Sequence, residues 1–520
     1  MGMRRRGKRR RGKGHRRKNG ITGRTATTNP GGNLERKPPL AFGAAERDAI
    51  GETPNPRMRS IPSLPSLRAL LLLPALLSPC AGQAGGPLRL ELHDFGRAAG
   101  WSAFAPRDEI RPRCFVDTAL FRSAPDSLAI SGAGNPAEYG GWAYTAGGIR
   151  SAQYYRLTAY YRAQSVGDPA RQVVARIDWL DAKGERAGEP DYAYETAADG
   201  DWTRVTLCVP APPQAASARI ELSLGWAPQG TVWWDDVSFE ETQPPPARWV
   251  RIGTVSLHPQ HAADNLEAWL GALDRAAVDK PDIVCLGEEL LIEGNSRPYS
   301  GAAEPIPGPS TERLGERARK YGMYIVAGLT ERDGAVDYNT AVLIDRHGRV
   351  AGRYRKVHLP REEVEGGLTP GGAYPVFDTD FGRIGMMICW DAEYVDAAKA
   401  MALQGAEILF VPAAGGYMTL LKARALENHL YVVSSGYGFE SAIIDPTGSV
   451  LFSTMDSGVS RTIAVNLAER FMDPWLGDMR PRFHKEVRRD IPMPGAGTPT
   501  AWRAAEPGSA RPSPGPDTSP

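Results

Sequence analysis

A cysteine, a glutamate and a lysine each stand at the end of a short strand-like run in this sequence of 520 residues. Cys389 follows the letters GMMI, Glu288 follows DIVCLG and Lys356 follows RYR. Short apolar runs bounded by turn residues are typical of buried strands, and side chains at strand ends meet at one edge of a sheet. We therefore expect these three side chains to lie close together.

The three residue types are those that acyl transfer requires. A free thiol is mostly protonated near neutral pH, so a nucleophilic Cys389 needs a base such as Glu288 beside it. The tetrahedral intermediate carries negative charge, which the ammonium of Lys356 and the backbone N–H of Trp390 would stabilise. For each side chain a structural role is the alternative: a core cysteine, a salt-bridged surface lysine and an exposed glutamate.

The region from Trp249 onward alternates strand-like and helix-like segments, which is typical of an α/β domain. The pattern predicts strands at 250–257, 283–286, 324–329, 339–345, 408–411, 430–434, 441–444 and 463–467, and helices at 262–277, 311–321, 397–403 and 418–429. Cys389 then lies between a strand and a helix, where free N–H groups at the start of the helix favour a thiolate or an oxyanion.

Three ordered blocks, DIVCLGEE, YRKVHLP and MMICWDAEY, resemble the catalytic blocks of the nitrilase, or carbon–nitrogen hydrolase, superfamily. The similarity extends from Trp249 to Leu467. It implies a four-layer α-β-β-α sandwich in which Glu288 is the general base, Lys356 stabilises the oxyanion and Cys389 is the nucleophile. It also implies a thioester acyl-enzyme that water hydrolyses, and no cofactor.

The resemblance further implies a second glutamate between the lysine and cysteine blocks. Its distance to the TPG turn at 369–371 favours Glu365, with Glu363 as the rival, and exposed acids on a charged loop are the alternative for both. Two positions depart from the family pattern: Gly287 replaces a usual proline, and Val395 with Asp396 replaces a frequent Pro-Glu pair. These departures leave the substrate class open.

The region from Leu88 to Glu241 has short alternating runs separated by Pro, Gly, Asp and Asn, which is typical of an all-β sandwich. It resembles jelly-roll carbohydrate-binding modules and galactose-binding-like domains. Trp233 and Trp234 are candidates for stacking on a sugar, but at least one must point into the core because successive strand residues face opposite sides. Cys114 and Cys208 are candidates for a disulfide, although the sequence leaves their pairing open.

The N-terminal region combines a basic stretch with a later apolar one. Residues 1–57 carry 16 Lys and Arg against 4 Asp and Glu, whereas the remainder carries 46 against 56. The stretch after Met58 has a charged beginning, the apolar run LRALLLLPALL and the candidate cleavage site Gly-Gln-Ala at 82–84, as in secretory signal peptides. Met58 is thus a candidate start, and lipidation of Cys80 is a minor alternative because Pro79 does not fit a lipobox.

These observations give one division of the chain. We assign a basic leader to 1–57, a signal peptide to 58–84, a β-sandwich to 87–242, a Pro-rich linker to 243–248, a hydrolase domain to 249–480 and a disordered tail to 481–520. The spacing of the cysteines and histidines predicts no metal site. The acidic body of the chain argues against nucleic-acid binding.

The sequence therefore predicts an exported amidase that cleaves a non-peptide C–N bond of a carboxamide or N-carbamoyl compound. Nitrile hydrolysis is one alternative, and a non-catalytic glycan-binding protein that uses the fold as a scaffold is another. By resemblance we expect a homodimer or higher homo-oligomer. The β-sandwich is a candidate for glycan binding.

Overall fold

The computed structural model describes residues 87–92, 95–96, 100–259, 264–292 and 297–489. The predicted basic leader, the signal peptide and the lipidation site at Cys80 lie outside these residues, as does the tail from 490 onward. No helix among the described residues combines the length and the hydropathy needed to cross a membrane.

Residues 89–242 form two antiparallel sheets, in agreement with the all-β prediction for this region. The strands are β1 Arg89–Leu92, β2 Trp101–Phe104, β3 Arg113–Asp117, β4 Ser127–Ser131, β5 Tyr139–Gly147, β6 Tyr154–Gln164, β7 Val173–Leu180, β8 Asp191–Tyr192, β9 Glu195–Asp199, β10 Trp202–Pro210, β11 Ser217–Gly225 and β12 Thr231–Thr242, with the short helix α1 Pro169–Gln172 before β7. One sheet has the order β3-β4-β12-β6-β10-β9, with β1 also on β12, and the other has the order β2-β5-β11-β7-β8. Alternating apolar residues from both sheets form one shared core.

The two adjacent tryptophans of β12 point to opposite faces of their sheet. Trp234 is fully buried in the core between the sheets. Trp233 packs with Trp202 and Ala129 in a small separate cluster, and its Nε1 donates to Asp117 at 2.8 Å. The expectation that at least one of them enters the core is confirmed, and neither is exposed enough to stack on a sugar.

The disulfide considered between Cys114 and Cys208 is not formed, and both are free thiols. Cys114 lies on β3 and Cys208 on β10, which stand four strand positions apart in the same sheet. At about 4.8 Å per strand this separation is roughly 19 Å, far beyond the ~7 Å that a disulfide allows between Cα atoms.

The second domain contains two six-stranded sheets. Its strands are β13 Trp249–Ser256, β14 Ile283–Cys285, β15 Tyr324–Asp333, β16 Val336–Ile344, β17 Val350–Arg355, β18 Val376–Asp378, β19 Arg383–Met386, β20 Ile408–Ala413, β21 Tyr431–Gly436, β22 Ser441–Ile444, β23 Val450–Thr454 and β24 Val459–Asn466; a hairpin of β25 Met472–Asp473 and β26 Gly477–Asp478 follows. Its helices are α2 Asn265–Ala276, α3 Tyr299–Ala302, α4 Pro309–Tyr321, α5 Arg361–Glu365, α6 Val395–Leu403, α7 Met418–Asn428 and α8 Met479–Glu486. The sheet orders are β17-β16-β15-β14-β13-β24 and β18-β19-β20-β21-β22-β23.

The two sheets pack against each other and are covered on their outer faces by helices. Helices α2 and α4 bury Trp269 and Leu314 against the first sheet. Helices α6 and α7 bury Met401 and Leu421 against the second sheet, in the core that also lies between the sheets. Because each sheet is apolar on both faces, each needs a cover on both sides, and this gives the expected α-β-β-α order.

The beginning of the predicted disordered tail is helical, which corrects the assignment of 481–520. Helix α8 lies between the two domains: Phe483 is buried in the core of the hydrolase domain, and Lys485 donates to the carbonyl oxygen of Val173 in the β-sandwich at 3.0 Å. Just before this helix, Arg470 pairs with Asp191, which also accepts a hydrogen bond from Trp179 Nε1 at 2.8 Å. Contacts with both domains therefore hold residues that look like a tail in the sequence.

We expect Asp191→Ala to lower the free energy of unfolding by about 3 kcal/mol, since removing one partner of a largely buried pair leaves the other uncompensated. The measurement is urea unfolding followed by tryptophan fluorescence. Asp108→Ala is the control, because its pair with Arg111 is exposed and such pairs contribute about 0–1 kcal/mol. Equal small losses in both variants would show that the Asp191 contact does not stabilise the fold.

Candidate active site

The structure brings the three predicted site residues to one place at the ends of their strands. Glu288 lies three residues after β14, Lys356 directly after β17 and Cys389 three residues after β19. β14 and β17 belong to one sheet and β19 to the other, so the site spans both sheets. Cys389 has a φ of 43°, in the left-handed region, and begins the 3₁₀ helix Cys389–Glu393. The predicted turn at Cys389 is therefore sharp.

The ammonium of Lys356 is fully buried and is held by two carboxylates. Its Nζ donates to Oε1 of Glu288 at 2.8 Å and also to Oε1 of Glu363. Burial alone would lower the pKa of Lys356, but the carboxylates of Glu288 and Glu363 outweigh it and raise that pKa well above its ordinary value. Lys356 is therefore a permanent cation in this site.

Glu288 is held in one orientation through both of its carboxylate oxygens. Oε1 accepts from Asn339 Nδ2 at 2.8 Å in addition to Lys356, and Oε2 accepts from the backbone N–H of Ala414 at 2.7 Å. Gly328 allows this placement, because a Cβ there would lie 2.6 Å from the Cα of Glu288. The carboxylate is thus fixed by hydrogen bonds from three different segments of the domain.

The surroundings of Cys389 favour its protonated thiol over the thiolate. Burial, together with the nearby charge of Glu288, raises the pKa of Cys389 to about 12, although Lys356 acts in the opposite direction. The Sγ atom donates to the carbonyl oxygen of Gly415 at 3.4 Å. A thiol in this state becomes a nucleophile only if a base removes its proton during attack.

Asp391 connects the cysteine turn to the lysine strand, a role that the sequence reasoning missed. Its fully buried carboxylate accepts from Tyr354 Oη at 2.7 Å and from the backbone N–H groups of Ile388 at 3.0 Å and His358 at 2.9 Å. Tyr354 and His358 flank Lys356 at a distance of two residues each. The signal in the sequence was the aspartate of the block CWDAEY beside the apolar run. A carboxylate that is buried there needs several hydrogen-bond donors, which could have pointed to a linking role.

The second glutamate of the cluster is Glu363, which corrects the choice of Glu365. Glu363 is buried against Lys356, whereas the side chain of Glu365 is 68% exposed and lies 3.8 Å from Arg361. Both residues belong to the short helix α5, where positions two apart point to different sides. Burial, partly offset by Lys356, raises the pKa of Glu363 to about 7.

The side chain of Trp390, the other supporting residue predicted from the sequence, is 40% exposed. The prediction concerned its backbone N–H, which follows Cys389 at the start of the 3₁₀ helix. Cys285, in contrast, is fully buried within β14, as its predicted core role requires.

Comparisons with known proteins find a matching family model, relatives and solved structures for the second domain. A family model described as carbon-nitrogen hydrolase matches residues 251–468. Omega-amidase NIT2-B of Xenopus laevis is 30% identical over 257 residues, which cover 44% of this chain and 88% of that protein. Omega-amidase NIT2 of Bos taurus is 29% identical with the same coverage. A solved mutant amidase of the nitrilase superfamily from Nesterenkonia is 24% identical and covers 44% of this chain and 93% of that chain, with a TM-score of 0.38.

We expect the rate of alkylation of Cys389 by iodoacetamide to rise about tenfold per pH unit from about pH 7 to 10, because its thiol pKa is raised. Mass spectrometry of the Cys389 peptide measures this rate, and the Cys389→Ala protein gives the background from the other thiols. Glu288→Gln removes a negative charge that raises the pKa of Cys389. This variant should therefore reach any given rate of alkylation at a lower pH than the wild type. A plateau near pH 8.5, as for an ordinary thiol, would contradict the prediction.

Proposed function

The chain belongs to the carbon–nitrogen hydrolase family and is a hydrolase of carbon–nitrogen bonds other than peptide bonds, and we propose that it is a thiol amidase whose acyl-enzyme is a thioester of Cys389. The observation that carries this proposal is the buried Lys356 ammonium held against Glu288 beside the thiol. A buried ion pair is costly to maintain, so its position next to a nucleophile supports a chemical role.

In the first half of the proposed reaction, Sγ of Cys389 attacks the carbonyl carbon of the amide and its proton passes to Glu288. Lys356 stabilises the negative charge that develops on the carbonyl oxygen. Glu288 then gives the proton to the nitrogen as the C–N bond breaks. Ammonia or an amine leaves, and the acyl group remains on the sulfur as a thioester.

In the second half, Glu288 takes a proton from a water molecule, which attacks the thioester carbonyl. The C–S bond breaks, the proton returns to the sulfur, and the product is a carboxylic acid. The net reaction consumes one amide and one water and requires no oxidant or reductant. Acid–base help of this kind contributes on the order of 10²- to 10⁴-fold to the rate.

The proposed substrates are carboxamides or N-carbamoyl compounds. The relatives named omega-amidases support an amide, and the departure at Gly287 leaves the identity of the acyl group open. Nitrile hydrolysis remains the alternative activity, and a glycan-binding scaffold without catalysis is the alternative from another class. The intact cluster of Glu288, Lys356 and Cys389 favours the amidase.

We also propose that the protein is exported to the periplasm or the extracellular space. The support is the charged beginning, apolar run and small-residue cleavage site at 58–84. Sequencing the N-terminus of protein recovered from the producing cells tests this proposal: a start near 85 supports export, and a retained leader contradicts it.

For the β-sandwich we propose glycan binding at Trp226 rather than at the buried tryptophans. Trp226 is 43% exposed, its ring lies 5.5 Å from that of Tyr139, and the guanidinium of Arg171 lies 4.6 Å from its centroid. Exposed aromatic rings are suited to stacking on sugars. Loss of binding to a glycan array in Trp226→Ala, with binding kept in Trp249→Ala, would support this site.

We further propose a homodimer or higher homo-oligomer in which the outer faces of α6 and α7 meet. The support is a set of exposed apolar side chains on or next to these helices, namely Tyr394, Val395, Tyr417 and Leu426. Such a patch is typical of an interface. Sedimentation equilibrium of the wild type and of Leu426→Glu tests it, since a charge at this position should favour the monomer.

Hydrolysis of amides by the purified protein should release ammonia, and Cys389→Ala should abolish it because the thioester cannot form. Glu288→Gln should lower kcat by about 10²- to 10⁴-fold because the proton acceptor is lost. Ammonia release is measured on amides, carbamoyl compounds and nitriles. Release that persists in Cys389→Ala would show that Cys389 is not the nucleophile.

Removing the charge of the second glutamate should affect the same reaction through Lys356. We expect Glu363→Gln to lower kcat/KM by at least about tenfold, because it removes a charged hydrogen bond that holds the ammonium. Because the pKa of Glu363 is raised to about 7, kcat/KM of the wild type should fall as the pH drops through 7, and this acid limb should be absent in the variant, whose glutamine does not titrate. Glu365→Gln on the same helix is the matched control and should leave both quantities unchanged.

A further inference from the structure

Glu289 has no part in the proposed acyl transfer, yet its carboxyl is buried in the same cluster. The residue directly follows Glu288 and is only 6% exposed. Its φ of 46° lies in the left-handed region, which is uncommon for residues other than glycine. The carboxyl interacts electrostatically with Glu288, Glu363 and Lys356. An unusual backbone conformation therefore holds a third carboxyl beside the reacting groups.

The cluster has more hydrogen-bond acceptors than donors. Among the described residues, three buried acceptor oxygens near Lys356 have no donor: Oε1 of Glu289, Oε2 of Glu363 and Oδ1 of Asn339. The nearby donors Lys356 Nζ and Asn339 Nδ2 already donate to Glu288 and Glu363. Buried acceptors without donors are unfavourable, so a ligand that brings N–H groups would stabilise this arrangement.

The charges of the cluster favour the same kind of ligand. Three carboxyls face a single ammonium. Burial and the negative charges of Glu288 and Glu363 raise the pKa of Glu289 well above its ordinary value. Tyr299, which these carboxyls also influence, has its pKa raised as well, so it is neutral. A ligand carboxylate here would meet further negative charge, whereas an ammonium or amide N–H would be attracted.

We propose that Glu289 is a specificity-determining residue that accepts a hydrogen bond from an N–H or ammonium group on the acyl portion of the substrate. This inference rests on the proposed amidase function. We assign this contact to the acyl portion because, in the proposed reaction, Glu288 already gives the proton to the scissile nitrogen. The preferred substrates are then amides with a cationic or donor-bearing acyl chain, and amides with a terminal carboxylate are disfavoured.

Three amides of matched chain length test this preference: 4-aminobutanamide, pentanamide and glutaramate. For the wild type we expect kcat/KM to fall in that order. In Glu289→Gln, which keeps the size of the side chain but cannot ionise to pair with a bound ammonium, the ratio of the first kcat/KM to the third should fall at least about tenfold. Glu365→Gln, an exposed glutamate nearby, is the matched control and should keep the wild-type ratio.

The outcomes separate the two proposals. A wild type with a higher kcat/KM for glutaramate than for 4-aminobutanamide would overturn the role of Glu289 while leaving the amidase intact. An unchanged ratio in Glu289→Gln would do the same. If no amide is cleaved, the amidase proposal fails, and calorimetric binding of the three compounds to Cys389→Ala protein then ranks them independently. If Glu289→Gln does not fold, Glu289→Asp should keep the charge preference and the wild-type ranking still decides.

Discussion

The buried ammonium of Lys356 is the constraint on which the rest of the site depends. A charged group without any exposed surface costs several kcal/mol unless opposite charges and hydrogen bonds compensate it. Two carboxylates do so here, from Glu288 and Glu363. Those carboxylates in turn need donors, which explains why Asn339 is fully buried beside them. One cation thus accounts for the burial of Glu288, Glu363 and Asn339 in the interior of this domain.

The position of this cluster follows from the way in which two sheets meet. Glu288 and Lys356 come from strands of one sheet, and Cys389 comes from the other. Packing of apolar faces brings the sheets together but does not fix their strand ends to within a hydrogen bond. Asp391 supplies that precision, because one carboxylate accepts from Tyr354 on β17 of the first sheet and from the backbone N–H of Ile388, two residues after β19 of the second.

The sequence predicted the strand ends because apolar runs, turn residues and ordered blocks all agree there. It favoured Glu365 over Glu363, which was wrong, since a helix of five residues has too little periodicity to show which side is buried. Asp391 and Asn339 were missed because their roles depend on contacts distant in sequence. Helix α8 was taken for part of a tail because it is held by contacts distant in sequence, such as those of Lys485 with Val173 and of Phe483 with His429.

The same electrostatics links the resting state of the site to the proposed reaction. While Glu288 is ionised it pairs with Lys356 and raises the pKa of Cys389, so the thiol stays protonated. When the thiol proton moves to Glu288, that carboxyl becomes neutral and its attraction for the ammonium weakens. The charge of Lys356 is then available to the oxyanion that forms at the same moment. Transfer of one proton therefore both creates the nucleophile and makes the stabilising charge available.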